Sequence, residues 1–166
     1  DAVQSSSWLK RDELDAEGHG YPRPLLQRSR WQSLSGSWLF ALDAEGRCRE
    51  PGEVRFEATI KVPYAPEAPK SGVHEQGLFK ACWYRRRILT PVHASGERIV
   101  LHFGAADYRA TVWVDDHCVG THEGGYAPFS FDITERLRDR RQSDLVVHVE
   151  DDPGDLAKPR GKQDWK

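Results

Sequence analysis

The stretch Thr111-Val-Trp-Val-Asp-Asp-His-Cys-Val119 decides the fold class, because two runs of β-forming residues flank a two-residue turn. Val, Thr and Trp favour extended strands, and a two-residue connection between such runs is typical of a β-hairpin. Asp115-Asp116 is a weaker turn pair than Asn-Gly would be. The stretch nevertheless predicts two antiparallel strands joined by a tight turn.

Similar strand patterns lie on both sides of this hairpin. They cover Trp38–Leu42, Val54–Val62, Leu78–Ile88, Ile99–Phe103, Phe129–Ile133 and Leu145–Val149. A long loop with three prolines runs from Pro63 to Gly77, and only Ile133–Arg141 can hold a helical turn. About seven short strands separated by Gly/Pro turns, with no long amphipathic helix, predict an all-β fold, a jelly-roll β-sandwich.

Composition excludes several classes of protein. The chain has 166 residues, with 24 Lys plus Arg against 26 Asp plus Glu, so a nucleic-acid partner is not expected. No apolar run approaches the ~20 residues of a membrane span. The three cysteines form no C-x-x-C pair, which argues against a zinc ribbon. The nucleophile elbow G-x-S-x-G and the zinc motif H-E-x-x-H are also absent.

Several longer motifs appear in a fixed order. They are Tyr21-Pro-Arg-Pro-Leu-Leu-Gln-Arg, Leu34-Ser-Gly-Ser-Trp-Leu-Phe, Val62-Pro-Tyr-Ala-Pro-Glu-Ala-Pro, Trp83-Tyr-Arg-Arg, Leu101-His-Phe-Gly-Ala, Val112-Trp-Val-Asp-Asp, Val119-Gly-Thr-His-Glu-Gly-Gly-Tyr-Ala-Pro-Phe, Phe131-Asp-Ile-Thr, Val149-Glu-Asp-Asp-Pro and Pro159-Arg-Gly-Lys-Gln-Asp-Trp. Each is weak alone, but in this order the chain resembles the N-terminal domain of glycoside hydrolase family 2. That family contains β-galactosidases, β-glucuronidases and β-mannosidases.

The resemblance implies residues 1–20 as an irregular extension and 21–166 as a jelly-roll sugar-binding domain of a longer enzyme. In the family, an immunoglobulin-like sandwich and a TIM barrel follow, and the barrel carries the two carboxylates of retaining hydrolysis. We therefore expect no catalytic residue and no cofactor in this chain. The pattern also ends before the family's closing strand, so we expect that strand to be missing and one sheet edge to be open for self-association.

The resemblance also assigns candidate substrate-binding residues. An Asp at the position of Asp164 reaches from the jelly roll into the barrel's pocket, where it contacts substrate hydroxyls or helps to hold a cation. Gln163 and Trp165 would position that loop, and His74 and Glu75 in the long loop are weaker candidates for the same rim.

An alternative function remains open, a free-standing carbohydrate-binding module. Aromatic residues near Gly/Pro-rich loops can stack on sugar rings, and Trp31, Tyr64, Tyr126 and Trp165 are of this kind. We expect the isolated chain to bind β-linked oligosaccharides very weakly or not at all. The N-terminal residues do not indicate a cellular compartment.

Overall fold

The computed structural model describes residues 30–155 and Ala157. These residues form two compact units, one made of 30–38 with 59–76 and the other of 39–58 with 77 onwards. Two strands cross the boundaries between the units. The larger unit contains most of the buried residues and the cleft described below.

The described part of the chain contains eight strands and one short α-helix, together with two 3-10 turns at Pro51–Glu53 and Pro69–Ser71. The strands and the α-helix are β1 Gly36–Asp43, β2 Ala58–Val62, β3 Ala81–Leu89, β4 Val100–Phe103, β5 Arg109–Val114, β6 His117–Glu123, β7 Phe129–Asp132, α1 Thr134–Leu137 and β8 Gln142–Glu150. Six strands form one sheet in the order β2-β1-β3-β8-β5-β6, while β4 pairs with β7 in a second sheet. The all-β prediction is confirmed. The absence of a closing strand stays a prediction.

The predicted hairpin joins β5 to β6. Asp115 and Asp116 both have positive φ, 47° and 63°. A two-residue turn with this backbone matches the right-handed twist of the flanking strands. The Asp115 carboxylate also accepts the Asp144 amide of β8 at 2.9 Å, so the turn is tied to its neighbouring strand.

The central strand β8 is buried on both of its faces. The sequence pattern separated Leu145 and Val147 from Val146 and His148, and the strand does place these pairs on opposite faces. On one side, Val147 is in register with Tyr84 and Val112. We call the other side, which carries Trp83, Trp113, Val146 and His148, the Trp83 face.

The connection from β1 to β2 covers the Trp83 face. Cys48, Val54 and Phe56 pack against the cluster of Trp83 with Trp113 and Val146. The prediction of one strand over Val54–Val62 was therefore wrong in its first half, since the strand begins at Ala58. Val54 and Phe56 have β-type side chains because they pack on the Trp83 face of the large sheet, although they belong to no strand themselves.

A glycine brings β6 close to the second sheet. A Cβ atom on Gly120 would overlap the ring of Phe131 on β7. Phe129 of β7 stacks at 4.7 Å on Phe103 of β4 and at 4.2 Å on His122 of β6. Aromatic packing over Gly120 thus joins these strands.

The helical turn predicted in Ile133–Arg141 is α1. The Asp132 carboxylate accepts the amide and the hydroxyl of Thr134 at 3.0 and 2.6 Å, and Thr134 in turn accepts the Ile99 amide. In the part of the chain that the structure describes, no helix has the length and apolarity to cross a membrane.

Candidate functional site

The principal predicted site residues, Gln163, Asp164 and Trp165, lie outside the described residues. Their role stays a prediction. His74 and Glu75 are described and belong to the loop that follows β2.

Buried Ser71 organises the loop around His74 and Glu75. Its hydroxyl donates to the Pro66 carbonyl at 3.2 Å and accepts the His74 amide at 3.3 Å. The Glu75 amide donates to the same Pro66 carbonyl at 2.9 Å. His74 has a positive φ of 54° and contacts Gln76 through its ring at 2.9 Å. The loop therefore holds His74 exposed and Glu75 half-buried in a fixed backbone.

Two of the loop aromatics that suggested sugar stacking have different surroundings. The ammonium group of Lys70 lies 5.7 Å from the centre of the Tyr64 ring, so a cation already faces this ring. Tyr126 is 67% exposed and follows the Gly124-Gly125 bend.

A polar cleft lies where five strands of the large sheet end. We call it the Glu150 cleft, and its volume is about 380 Å³. It is lined by Glu45, Gly46, Arg49, Lys80, Tyr108, Arg109, Glu123, Glu150 and Asp152. The carboxyl ends of β1, β6 and β8 meet the amino ends of β3 and β5 here, because neighbouring strands are antiparallel.

The sequence patterns did not predict this cleft. Glu150, Arg109 and Glu123 lie side by side in the sheet register, at the ends of three strands. Charged residues at matching strand ends were the available signal. That signal requires the strand order, which the sequence pattern alone does not supply.

Ion pairs in the Glu150 cleft are loose. Glu150 lies 3.4 Å from Arg49 and 4.0 Å from Arg109, and Arg109 lies 3.8 Å from Glu123. The side chains of Arg49 and Glu123 are mostly exposed. Exposed pairs at such distances contribute little to stability. Of these three pairs, only Arg49 with Glu150 is also a hydrogen bond, and it is a long one.

Backbone hydrogen bonds continue from the strands into the loops around the cleft. Lys80 donates its amide to Ala44 and accepts that of Asp151, at 3.0 and 2.9 Å. Tyr108 donates its amide to Glu150 and accepts that of Gly124, at 3.1 and 2.8 Å. The rim of the cleft is thus an extension of the sheet.

His148 lies in the Trp83 face directly behind Glu150. Its ring stacks on Trp83 at 4.0 Å with an angle of 16°, and only 3% of the residue is exposed. Nε2 has no hydrogen-bond partner, and Nδ1 lies 3.8 Å from the Glu150 carboxylate. Burial lowers the pKa of His148, although the charges of Glu150 and Asp43 oppose that shift. His148 is therefore held as a neutral ring.

A second ionic cluster lies at the opposite end of the Trp83 face. The Asp144 carboxylate accepts bonds from Arg85 and, at 3.0 Å, from Arg87. Burial tends to raise the pKa of Asp144, but its bonds to these arginines outweigh burial and lower it. Arg85 and Arg87 share a face, as alternation along β3 predicts, and act as partners of Asp144 as well as surface charges.

Metal-binding chemistry does not arise within residues 30–155 and Ala157. No three or more His, Cys, Asp and Glu side chains converge there as a metal site requires. The expected cation beside Asp164 concerns residues outside this range and stays a prediction.

Known proteins resemble both the sequence and the fold of this chain. Residues 69–164 match the family model described as glycosyl hydrolase 2 galactose-binding domain-like. The chain belongs to this family. The jelly-roll class that the sequence predicted is thereby confirmed together with the resemblance.

Several β-glucuronidases are similar to this chain in sequence or in structure. The enzyme of Canis lupus familiaris is 33% identical over 131 residues, covering 71% of this chain and 20% of its own length. That of Paenibacillus borealis is 29% identical over 78% of this chain and 22% of its own. The Faecalibacterium prausnitzii structure has a TM-score of 0.60 and 28% identity, covering 71% of this chain and 20% of its own. The chain thus spans about a fifth of these relatives' length.

Proposed function

We propose that this chain is the noncatalytic N-terminal domain of a longer glycoside hydrolase, which hydrolyses O-glycosidic bonds through carboxylates in a TIM-barrel domain. The observation that carries the proposal is the family match, together with the share of about a fifth that the chain has in each glucuronidase. The domain would support the barrel and lend a loop to its substrate pocket.

The partners of the domain follow from the same proposal. They are an immunoglobulin-like domain and a barrel in the same polypeptide, with a carbohydrate as the substrate of the whole enzyme. β-Glucuronidases predominate among the matches quoted above, while a β-galactosidase of Thermoanaerobacter pseudethanolicus is 34% identical over 55% of this chain and 13% of its own length. A β-linked glycoside is therefore the substrate class that we propose.

Asp164 is the residue that we propose to enter the substrate pocket, with Gln163 and Trp165 holding its loop. A carboxylate accepts charge-assisted hydrogen bonds from sugar hydroxyls, and such bonds can strengthen in the transition state. His74 and Glu75 are the secondary candidates. The fixed backbone around Ser71 supports them, because a rim residue must be held in place to contribute binding energy.

The test is the hydrolysis of 4-nitrophenyl β-glycosides by the longer enzyme. Asp164→Ala should lower kcat/KM by a factor of ~10², about 2.7 kcal/mol of transition-state stabilisation, with little change in melting temperature. Asp155→Ala, which removes an acid nearer to β8, is the matched control and should retain activity. Activity of Asp164→Ala within twofold of the wild type would remove Asp164 from the site.

A further inference from the structure

We infer that the connection from β1 to β2 is an acid-sensitive cover, which opens locally and lets water reach buried His148 while the sheet beneath it stays folded. We call residues 44–57 the cover segment. The inference concerns only described residues of the larger unit. It therefore goes beyond the proposed function and does not depend on it.

The cover segment is held in shape by two carboxylates that close short turns. Asp43, the last residue of β1, accepts the amides of Arg47 and Cys48 through its carboxylate, both at 2.9 Å. The Glu53 carboxylate accepts the Arg49 amide at 2.6 Å. These bonds connect the segment to itself and to the end of β1. They can therefore persist when the segment separates from the rest of the sheet.

Few polar contacts tie the cover segment to the other strands. Beyond its bonds to Asp43, its hydrogen bonds to the rest of the described chain are one from the Lys80 amide to the Ala44 carbonyl at 3.0 Å and one from Arg49 to Glu150 at 3.4 Å. The first of these lies at the very start of the segment. The second involves an arginine side chain that is 68% exposed, and such a pair contributes little to stability.

Side-chain packing is therefore what keeps the cover segment closed. Val54 and Phe56 are half-buried and pack against the cluster around Trp83, and Phe56 also lies 5.9 Å from the Arg85 guanidinium. An element with few polar anchors and partly exposed apolar contacts opens at a lower free energy than a central strand does. We expect the cover segment to open without global unfolding.

His148 lies beneath the path of the cover segment. The segment contacts Val146, two residues before His148 on the same face, and Arg49 reaches Glu150, two residues after it. The His148 ring is 3% exposed and stacks on Trp83, and among the described residues its Nε2 has no hydrogen-bond partner. Opening the segment would give this nitrogen access to water.

Protonation of His148 favours the open state. The charged groups that face the ring are Glu150 on its own strand, Asp43 at the end of β1, Arg49 of the cover segment and Arg109 of β5. Burial lowers the pKa of the closed ring most strongly and the two arginines add to that effect, whereas the two carboxylates oppose it. Opening removes the effect of burial, so the open state binds a proton that the closed state does not, and acid shifts the equilibrium towards opening.

The experiment is hydrogen exchange of the Trp83 indole N–H in the 166-residue chain, followed by NMR at pH 7.5 and pH 5.5. This nitrogen is buried in the Trp83 face, so its exchange reports the entry of water. Relative to a free indole at the same pH, exchange should be faster at pH 5.5 by as much as about tenfold. The amides of β8, which is paired on both sides, should exchange more slowly and with a steeper dependence on urea.

Three variants test the roles of the histidine and of the cover segment. His148→Phe should abolish the acceleration in acid, whereas the matched control His102→Phe, on an exposed position of β4, should retain it. Phe56→Ala removes a packing contact of the segment and leaves His148 in place. It should accelerate indole exchange by about tenfold or more at both pH values, with the same ratio between them as in the wild type.

Three results would overturn the inference. One is exchange of the Trp83 indole at the rate of the β8 amides with the same urea dependence, which would mean that no separate opening exists. The others are an equal acceleration in acid for the wild type and His148→Phe, and wild-type exchange in Phe56→Ala, which remains informative if His148→Phe does not fold. None of them affects the proposed function, which depends on hydrolysis by the longer enzyme, and an inactive longer enzyme would leave this inference standing.

Discussion

Replacing His148 with Phe should remove a pH-dependent loss of stability. The histidine ring is 3% exposed and stacks on Trp83, and its Nε2 has no hydrogen-bond partner. Phenylalanine retains a flat ring for the stacking and introduces no polar atom. The variant therefore separates the titration of the residue from its packing.

The size of this loss of stability follows from the difference in His148 protonation between the folded and the unfolded chain. Burial lowers the pKa of His148 in the folded chain, whereas the unfolded chain protonates it near pH 6.5. As pH falls below that value, the unfolded state binds a proton that the folded state does not, so acid favours unfolding. Between pH 7.5 and 5.5 this linkage removes as much as about 1.4 kcal/mol from the free energy of unfolding.

Urea titrations of the wild type and of His148→Phe at both pH values measure this difference. On going from pH 7.5 to pH 5.5, the wild type should lose more stability than the variant, by as much as about 1.4 kcal/mol. His102→Phe is the matched control, because it replaces an exposed histidine on β4 and retains His148. It should show the same loss of stability in acid as the wild type.

Two results would refute this reasoning. One is an equal loss of stability in acid for the wild type and His148→Phe. The other is an NMR titration that gives the His148 ring of the folded chain a pKa of 6.5 or higher. Either would mean that the folded protein stabilises the imidazolium, with Glu150 and Asp43 outweighing burial.

Two further predictions concern contacts that join the sheets and strands. Gly120→Ala should lower the free energy of unfolding by about 1–3 kcal/mol, because the new methyl group meets the Phe131 ring. Gly104→Ala is the control, because open space surrounds that position and the new methyl group overlaps no other atom. Thermal denaturation of both variants measures the difference. Asp144→Asn should cost about 1 kcal/mol at pH 7 by weakening the bonds to the two arginines of β3. Because the pKa of Asp144 is lowered in the folded chain, this difference should begin to shrink as pH falls below about 3.8 and should vanish only below the folded pKa. Urea titrations should therefore find a smaller difference at pH 3 than at pH 7, and an equal difference at the two values would contradict the prediction.

Local patterns predicted the elements whose signals are short-range. The Asp115-Asp116 hairpin, the alternation in β7 and the helical turn after Ile133 all follow from residues adjacent in sequence. The second strand was misplaced because Val54 and Phe56 have β-type composition for a tertiary reason, which is contact with the cluster around Trp83. Composition does not distinguish a strand from a segment that covers one.

The Glu150 cleft could not be predicted for a related reason. Three of its charged residues lie at the ends of β5, β6 and β8, and the other four lie in the segments after β1, before β3 and after β8, so they converge only after the strands have paired. That Arg109 and Glu123 are neighbours of Glu150 becomes apparent from the register of β5 with β6 and β8. The family resemblance, in contrast, depends on motif order and was readable from the sequence.

The most direct test of the central claim is to read the coding sequence beyond Lys166. If the chain is the N-terminal domain of a family 2 glycoside hydrolase, the frame should continue into a second β-sandwich. A TIM barrel containing two carboxylates placed for retaining hydrolysis should follow it. A frame that continues into neither domain would contradict the account.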